Sequence, residues 1–227
     1  MVEHLRVFLD ANVLAAPVTR TLLLAAARLS GYSFIWSQHA EDEASRHMRP
    51  AATSVATLRT VYLDQMPVSP SADVAGRFLA TQRSDRQILA DAKEAGTHFL
   101  VTNNVNDFAV TDLRQTRISA VTPDLFMSQR MTTTAYEYAL NLIACSQKHP
   151  PTTVEVLHRK LAQNHPRLFA AQNQVYNLDP IASPHHLPEV EFRGTRCIQC
   201  GTLNSSELPL GLDPKCAGGA AARSPEP

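Results

Sequence analysis

At 227 residues, 44% of them apolar, the chain is long enough for one well-buried domain with an appendage and short for two full domains. No stretch approaches the ~20 apolar residues of a membrane span, and the N-terminal Met1-Val2-Glu3-His4-Leu5-Arg6 has no signal-type pattern, so a cytoplasmic protein with no membrane partner is expected. Its 21 basic and 21 acidic residues cancel, which argues against a broad nucleic-acid-binding surface, and four cysteines are too few for a disulfide scaffold.

In chain order, residues 6–9 read as a fully buried strand ending at Asp10, and residues 19–29 as a helix closed near Gly31. Residues 32–36 form a second strand, after which Ser37 caps a helix that runs through Glu41, Asp42 and Glu43 to about Arg49, where Pro50 stops it. A helix over 54–64 follows, then a proline-broken segment at 66–70 and a further helix within 71–82. Ser84 is placed to cap a helix over 85–95 that Gly96 ends, residues 99–102 are the third strand, 118–121 the fourth, and Pro123 opens a short helix at its N1 position. Strands alternating with helices predict an α/β fold with a mainly parallel, Rossmann-like sheet flanked by helices over residues 1–130.

After residue 130 the pattern turns helical. Ala135, Ala139, Leu142, Ile143 and Cys145 share a helical spacing within 132–147, which predicts a buried Cys145, and Pro150-Pro151 ends the helix. Thr152 and Glu155 suggest a capping box for a second helix, and Pro166 starts a third. Residues 131–178 thus form a helical extension. Lys148, His149, His158, Arg159, Lys160, His165 and Arg167 make 148–167 locally basic, either the solvated face of a hairpin or a nucleic-acid contact. Residues 179–227 are a Pro/Gly-rich tail whose last twelve residues have a disordered composition.

Four acids stand where such a fold can gather them. Asp10 follows the first strand, Glu43 lies one turn into the helix after the second, Asp85 begins a helix, and Asp107 leaves the third strand in Thr102-Asn103-Asn104-Val105-Asn106-Asp107. Open α/β sheets bind ligands outside the carboxyl ends of their strands, and hard oxygen donors suit Mg²⁺ or Mn²⁺. Each acid alone is equally readable as a cap or a turn residue. A shifted register would exchange Glu43 for Glu41 or Asp42, whereas Asp91, six positions after Asp85, falls about 120° round the helix and reads as a solvated charge. Residues 1–130 hold thirteen Lys/Arg and thirteen Asp/Glu, so four acids neutralised by metal would leave that part net positive by four. Arg46, Arg49, Arg83 and Arg86 flank the acids as phosphate contacts or as surface ion-pair partners.

The segments Phe-Leu-Asp-Ala-Asn-Val-Leu (8–14), Trp-Ser-Gln-His-Ala-Glu-Asp-Glu (36–43), Ser-Asp-Arg-Gln-Ile-Leu-Ala-Asp-Ala-Lys-Glu-Ala-Gly (84–96) and Leu-Val-Thr-Asn-Asn-Val-Asn-Asp-Phe (100–108) resemble the successive motifs of PIN-domain nucleases, including VapC-type toxins. Val-Thr-Pro-Asp-Leu-Phe (121–126) is similar to that family's closing segment, so the resemblance covers about residues 5–130. It implies metal-dependent endonucleolytic cleavage of RNA with Asp10, Glu43, Asp85 and Asp107 as the acidic cluster and Asn12, Thr102 and Asn104 as supporting polar residues. It also implies Mg²⁺ or Mn²⁺ as cofactor, an RNA substrate and a toxin role with an antitoxin partner, and it is compatible with a homodimer. A PIN scaffold that binds RNA or protein through the C-terminal extension without cleaving is the alternative. A phosphatase using an aspartyl nucleophile is disfavoured because Asn12 stands where a second Asp is needed.

Cys197-Ile198-Gln199-Cys200-Gly201 is half of a zinc knuckle, since thiolates two residues apart on a tight turn can face one tetrahedral metal. Cys216 and either His185 or His186 are candidates to complete a structural Zn²⁺ site; a redox pair or free thiols are the other readings.

Overall fold

The computed structural model describes residues 4–49, 52–62, 69, 72–147, 150–185 and 187–216. Five strands, β1 (Leu5–Leu9), β2 (Tyr32–Ile35), β3 (Phe99–Val101), β4 (Ser119–Val121) and β5 (Phe192–Arg193), form one sheet in the order β2-β1-β3-β4-β5. The first four are parallel and β5 adds antiparallel to β4. Because β1 pairs with β2 on one side and β3 on the other, the order reverses between β1 and β3, the place where an open sheet leaves a crevice at its carboxyl edge. Register Leu9↔Val101↔Val121 sets Asp10, Thr102 and Thr122 side by side just beyond the strands.

The helices are α1 (Ala11–Leu14), α2 (Pro17–Ala26), α3 (Gln38–His47), α4 (Val55–Tyr62), α5 (Ala72–Ala75), α6 (Arg86–Glu94), α7 (Val110–Thr116), α8 (Pro123–Arg130), α9 (Thr133–Ser146), α10 (Val154–Asn164) and α11 (Pro166–Tyr176). Short 3₁₀ turns cover Arg28–Ser30, Val105–Asp107 and Pro209–Gly211. The local signals that hold are those in which one side chain fixes one backbone group. Ser37 accepts from the Ala40 N–H at 3.2 Å, and Pro123 and Pro166 sit in the first turns of α8 and α11. Gly31 and Gly96 take left-handed backbone where their helices stop.

Several expectations are corrected. The helix expected over 19–29 starts at Pro17 and ends at Ala26, its last turn tightening to 3₁₀ geometry. Of the described residues 72–82, only Ala72–Ala75 is α-helical, because a turn at Gly76 carries the chain round to bury Phe78 while Leu79 stays exposed. Ser84 does not cap α6; Asp85 holds the cap position, and Ser84 Oγ instead donates to Asp85 Oδ2 at 2.6 Å. The cap of α10 is Thr153, which accepts from the Val156 N–H, rather than Thr152. Cys145 is exposed, since the buried face of α9 runs through Ala135, Tyr136, Ala139, Leu140 and Ile143, leaving Leu142 and Cys145 off it. Pro50, residues 63–68 and 70–71, Lys148, His149, His186 and residues 217–227 lie outside the described residues.

One apolar core runs through the sheet, its helices and the C-terminal residues as far as Leu208. Phe126 of α8 meets Tyr32 and Phe99 edge-on or tilted, with ring centroids 5.3 and 5.9 Å away, and the buried Tyr32 hydroxyl donates to the Leu23 carbonyl. In α9 and α10, Tyr136 Oη and His158 Nδ1 lie 2.8 Å apart, His158 Nε2 faces Asn173 Oδ1 at 3.0 Å, and the imidazole stacks between Phe169 and Tyr176. His158 and His165 are therefore core residues and Arg167 is joined to Glu191, so three of the basic residues counted in 148–167 are not part of a free solvated face, while Lys160 is exposed. No helix among the described residues is long and apolar enough to cross a membrane.

His165, between α10 and α11, faces Thr19 Oγ1 of α2 through Nε2 at 2.9 Å, and burial pushes it down to about 4. An unfolded histidine takes its proton near 6.5, so between about pH 6.5 and 4 the unfolded chain binds more protons and stability falls as pH falls. The full contribution is about 3 kcal/mol. Asp10 and Asp124, both raised by burial, act with the opposite sign in the overlapping range below about 7 and 6. The measurement is thus the difference between wild-type and His165→Gln urea-unfolding curves from pH 7 to 4.5. Wild type should lose ground to the variant as pH drops, and a flat difference would refute the assignment.

Candidate functional site

Asp10 is built into the crevice by the end of β1. Its N–H donates to the Val101 carbonyl at 3.1 Å, continuing the β1–β3 ladder, and its side chain caps α1 by accepting from the Ala11 N–H at 2.6 Å. The other carboxylate oxygen accepts from Thr102 Oγ1 at 2.6 Å and Asn12 Nδ2 at 2.7 Å. The capping reading of Asp10 thus holds for one carboxylate oxygen, and the other is held by two polar side chains.

Thr102 and Asn12 are in turn held. Thr102 is fully buried and its hydroxyl oxygen accepts from the Asn104 N–H at 3.0 Å. Asn12 Oδ1 accepts from the Asn103 backbone N–H at 3.0 Å and from its side chain at 3.3 Å. Asn104 thus contributes its backbone to this network while its side chain is exposed, and Asn103, overlooked in the sequence, ties the α1 turn to the loop after β3. Its signal was only adjacency to Asn104.

The other three acids lie on separate elements. Glu43 lies on α3 with its carboxylate 4.0 Å from His39 Nε2, and Asp85 starts α6. Asp107 ends the Val105–Asp107 turn, whose carbonyl accepts from the Gln82 N–H at 2.9 Å and so ties that turn to the α6 approach. Asp10 is pushed up to about 7, first by burial and then by the negative charges of Asp85 and Glu43. Asp85 is raised by partial burial and by Asp107 and Glu43, against the lowering effect of the Ser84 hydroxyl. The four carboxyls therefore share one electrostatic neighbourhood with Asp85 at its centre. They are not in mutual ligand contact: among the described residues, the one group of three or more His, Cys, Asp or Glu with all ligand atoms within 4.8 Å of one another is Cys197, Cys200 and Cys216.

Burial and partners separate the three acids of α3. Glu41 turns inward to accept from Trp36 Nε1 at 3.1 Å and to pair with Arg59 at 3.0 Å, and Asp42 is an exposed partner of Gln38, so Glu43 is the acid whose charge acts on Asp10 and Asp85. Asp91 is not solvated. It is fully buried where α6 meets α3, accepts from Gln87 Nε2 at 2.8 Å, and is raised mainly by desolvation. The helix-face argument placed it away from Asp85 correctly but could not tell solvent from the neighbouring helix.

Of the flanking arginines, Arg86 is committed to the Thr81 and Leu79 carbonyls, which fixes the approach to α6, while Arg46, Arg49 and Arg83 are exposed and make no ion pair among the described residues. A further cation was not foreseen. Arg193 of β5 donates to the Asn106 carbonyl at 3.1 Å, the Asn106 side-chain oxygen at 3.0 Å and the Phe108 carbonyl at 3.3 Å, clamping the turn that carries Asp107. No local signal marks it, because the contact spans more than 80 residues.

The cysteines come together as a separate centre that could hold a metal ion. Of the two histidines expected as a further ligand, His185 is not among the gathered ligands and its N–H donates to the Gln163 carbonyl of α10, while His186 lies outside the described residues.

The fold is that of an α/β protein with a mainly parallel sheet flanked by helices, at whose carboxyl edge Asp10 is held by Thr102 and Asn12. Compared with known proteins, the chain matches no family model, no curated protein and no solved structure.

Proposed function

We propose that the chain is a PIN-like, metal-dependent endoribonuclease that hydrolyses RNA phosphodiester bonds, with Asp10, Glu43, Asp85 and Asp107 as its acidic cluster. The observation that carries this reading is the position of Asp10: a buried carboxylate at the topological switch, fixed by Thr102 and Asn12 and burdened by the charges of two further acids. Burial and like charge leave the crevice short of positive charge, and its hard oxygen donors fit Mg²⁺ or Mn²⁺.

When bound, such an ion lowers the pKa of a water and stabilises charge building on phosphate. The chain's own residues hold and orient. Asp10, with Glu43, Asp85 and Asp107, would supply the oxygen donors. Thr102 and Asn12 fix the Asp10 rotamer, a positioning role that leaves no freedom for the carboxylate to swing toward solvent. Glu43, Asp85 and Asp107, less buried, leave the crevice open to an extended strand, and the exposed Arg46, Arg49 and Arg83 offer cations to its phosphates. Neither a nucleophilic side chain nor a general base is required of the protein.

Endonuclease activity on single-stranded RNA is expected with Mn²⁺ or Mg²⁺ and none with EDTA. Calorimetric titration of Mn²⁺ separates this from a scaffold that binds RNA without cleaving: the nuclease takes up Mn²⁺ in the crevice, and absence of binding by the intact protein would sink the proposal. A toxin role with an antitoxin partner is the biological context the PIN resemblance suggests; arrest of growth on expression, relieved by a neighbouring small gene product, tests it.

A further inference from the structure

We propose that Cys197, Cys200 and Cys216 form a structural zinc site whose fourth ligand is the Asp213 carboxylate, and that this site locks β5 onto the sheet. The centre is built independently of the acid crevice. The three sulfurs all lie within 4.8 Å of one another although Cys216 is sixteen residues beyond Cys200, and all three are free thiols rather than a disulfide. Tetrahedral thiolate ligands around zinc at ~2.3 Å bring sulfurs to comparable separations, so little rearrangement is needed.

The surroundings are polar and include a cation. The Asp213 N–H points at Cys197 Sγ at 3.3 Å, and the Cys200 sulfur lies 3.2 Å from Thr202 Oγ1. Arg130 is held at the centre by donating to the Gln199 carbonyl at 2.6 Å, where its positive charge faces Cys197 and Cys200. A site of three thiolates and a carboxylate around Zn²⁺ carries net negative charge, which a neighbouring guanidinium stabilises.

Asp213 is assigned by spacing and turn. Asp213-Pro214-Lys215-Cys216 repeats the two-residue gap of Cys197-Ile198-Gln199-Cys200, with an acid in the place of the first cysteine. Its carboxylate accepts from the Lys215 N–H at 2.8 Å, closing a tight turn beside the sulfurs; it stands outside the group of sulfurs within 4.8 Å of one another, so it would join the metal by a change of rotamer. Carboxylate oxygen is an accepted zinc donor beside thiolates.

What the site would hold is more than the tail. Ile198 is fully buried and its N–H donates to the Gly211 carbonyl at 2.7 Å, while Leu208 and Phe192 pack in the same core. The cysteine loops thereby pin β5, a strand of two residues too short to persist alone.

The test is Zn²⁺ titration and native mass spectrometry of the full chain under reducing conditions. One Zn²⁺ per chain is expected, none in Cys197→Ser/Cys200→Ser, and at least a ten-fold weaker hold against a competing chelator in Asp213→Ala. Stripping the metal should speed amide exchange at Phe192 and Arg193. Wild-type protein that takes up no zinc, or that contains a disulfide among these cysteines, overturns the site, and undiminished affinity in Asp213→Ala overturns its fourth ligand. None of these readouts depends on nuclease activity, so failure here and failure of the nuclease reading are distinguishable.

Discussion

Asp10→Asn is expected to lower Mg²⁺- or Mn²⁺-dependent RNA cleavage by about two to three orders of magnitude, the range for losing one preorganised group that stabilises transition-state charge. The substitution keeps size and shape but replaces a carboxylate oxygen with an NH₂. One oxygen can still accept from the Ala11 N–H, whereas the new amide faces Asn12 Nδ2, itself a donor, as well as the Thr102 hydroxyl, whose oxygen already accepts from the Asn104 N–H and from Asn12 Nδ2. That donor–donor contact is offset by removing a buried carboxyl under the repulsion of Asp85 and Glu43, so stability should change by about 1 kcal/mol or less. Cleavage is read on a labelled RNA over a Mn²⁺ series and stability by urea melts on the same preparation. Thr102→Val, which keeps every acid and loses only the hydroxyl that orients Asp10, should cost less, about 10- to 100-fold. Asp91→Asn, behind the crevice, should leave the rate unchanged. An Asp10→Asn protein that cleaves at the wild-type rate would remove the crevice from the reaction.

The contrast between Asp10 and Asp91 shows where sequence reading stops. A strand end, a proline in a first turn or Ser37 before α3 is decided by atoms a few residues apart, and these positions were legible. Burial of a helix face is decided by what packs on it: Asp91, His158 and His165 look like solvated charges along the chain and are enclosed by α3, by Tyr136 and Phe169, and by Thr19 respectively. Cys145 errs the other way, an apolar-looking position two residues past the buried Ile143 and so on the far side of α9. The approach of four acids depends on sheet order, which no single motif contains, and the PIN resemblance supplied that expectation as a whole. β5 had no signal at all. Two residues make no period, and Phe192–Arg193 is a strand because β4 and the cysteine loops hold it there.

Gly194 tests that dependence most severely. It follows Arg193 with φ +142, a conformation L residues rarely adopt, and a Cβ there would stand 2.2 Å from Ser119 Oγ, 2.5 Å from Ser119 Cβ and 2.7 Å from Ser119 Cα. Ser119 is fully buried in β4, and its hydroxyl oxygen also accepts from the Arg196 N–H, so it cannot swing aside. Gly194→Ala must therefore push β5 off β4, breaking the Ala120↔Arg193 and Val121↔Phe192 pairing. Overpacking and backbone strain of ~1–3 kcal/mol each add to about 2–6 kcal/mol, a large part of the ~5–15 kcal/mol that holds a domain folded. Arg193 goes with the strand, releasing the Asn106 and Phe108 carbonyls and with them the turn that presents Asp107. Urea melts should show the loss, proteolysis should begin within 192–216, and Mn²⁺ should bind more weakly although no acid has changed. Adding Ser119→Gly removes the two shortest contacts but leaves the backbone one at 2.7 Å, so it should restore stability in part. A Gly194→Ala protein with wild-type melting and an undisturbed Asp107 turn would mean that β5 is not seated as described.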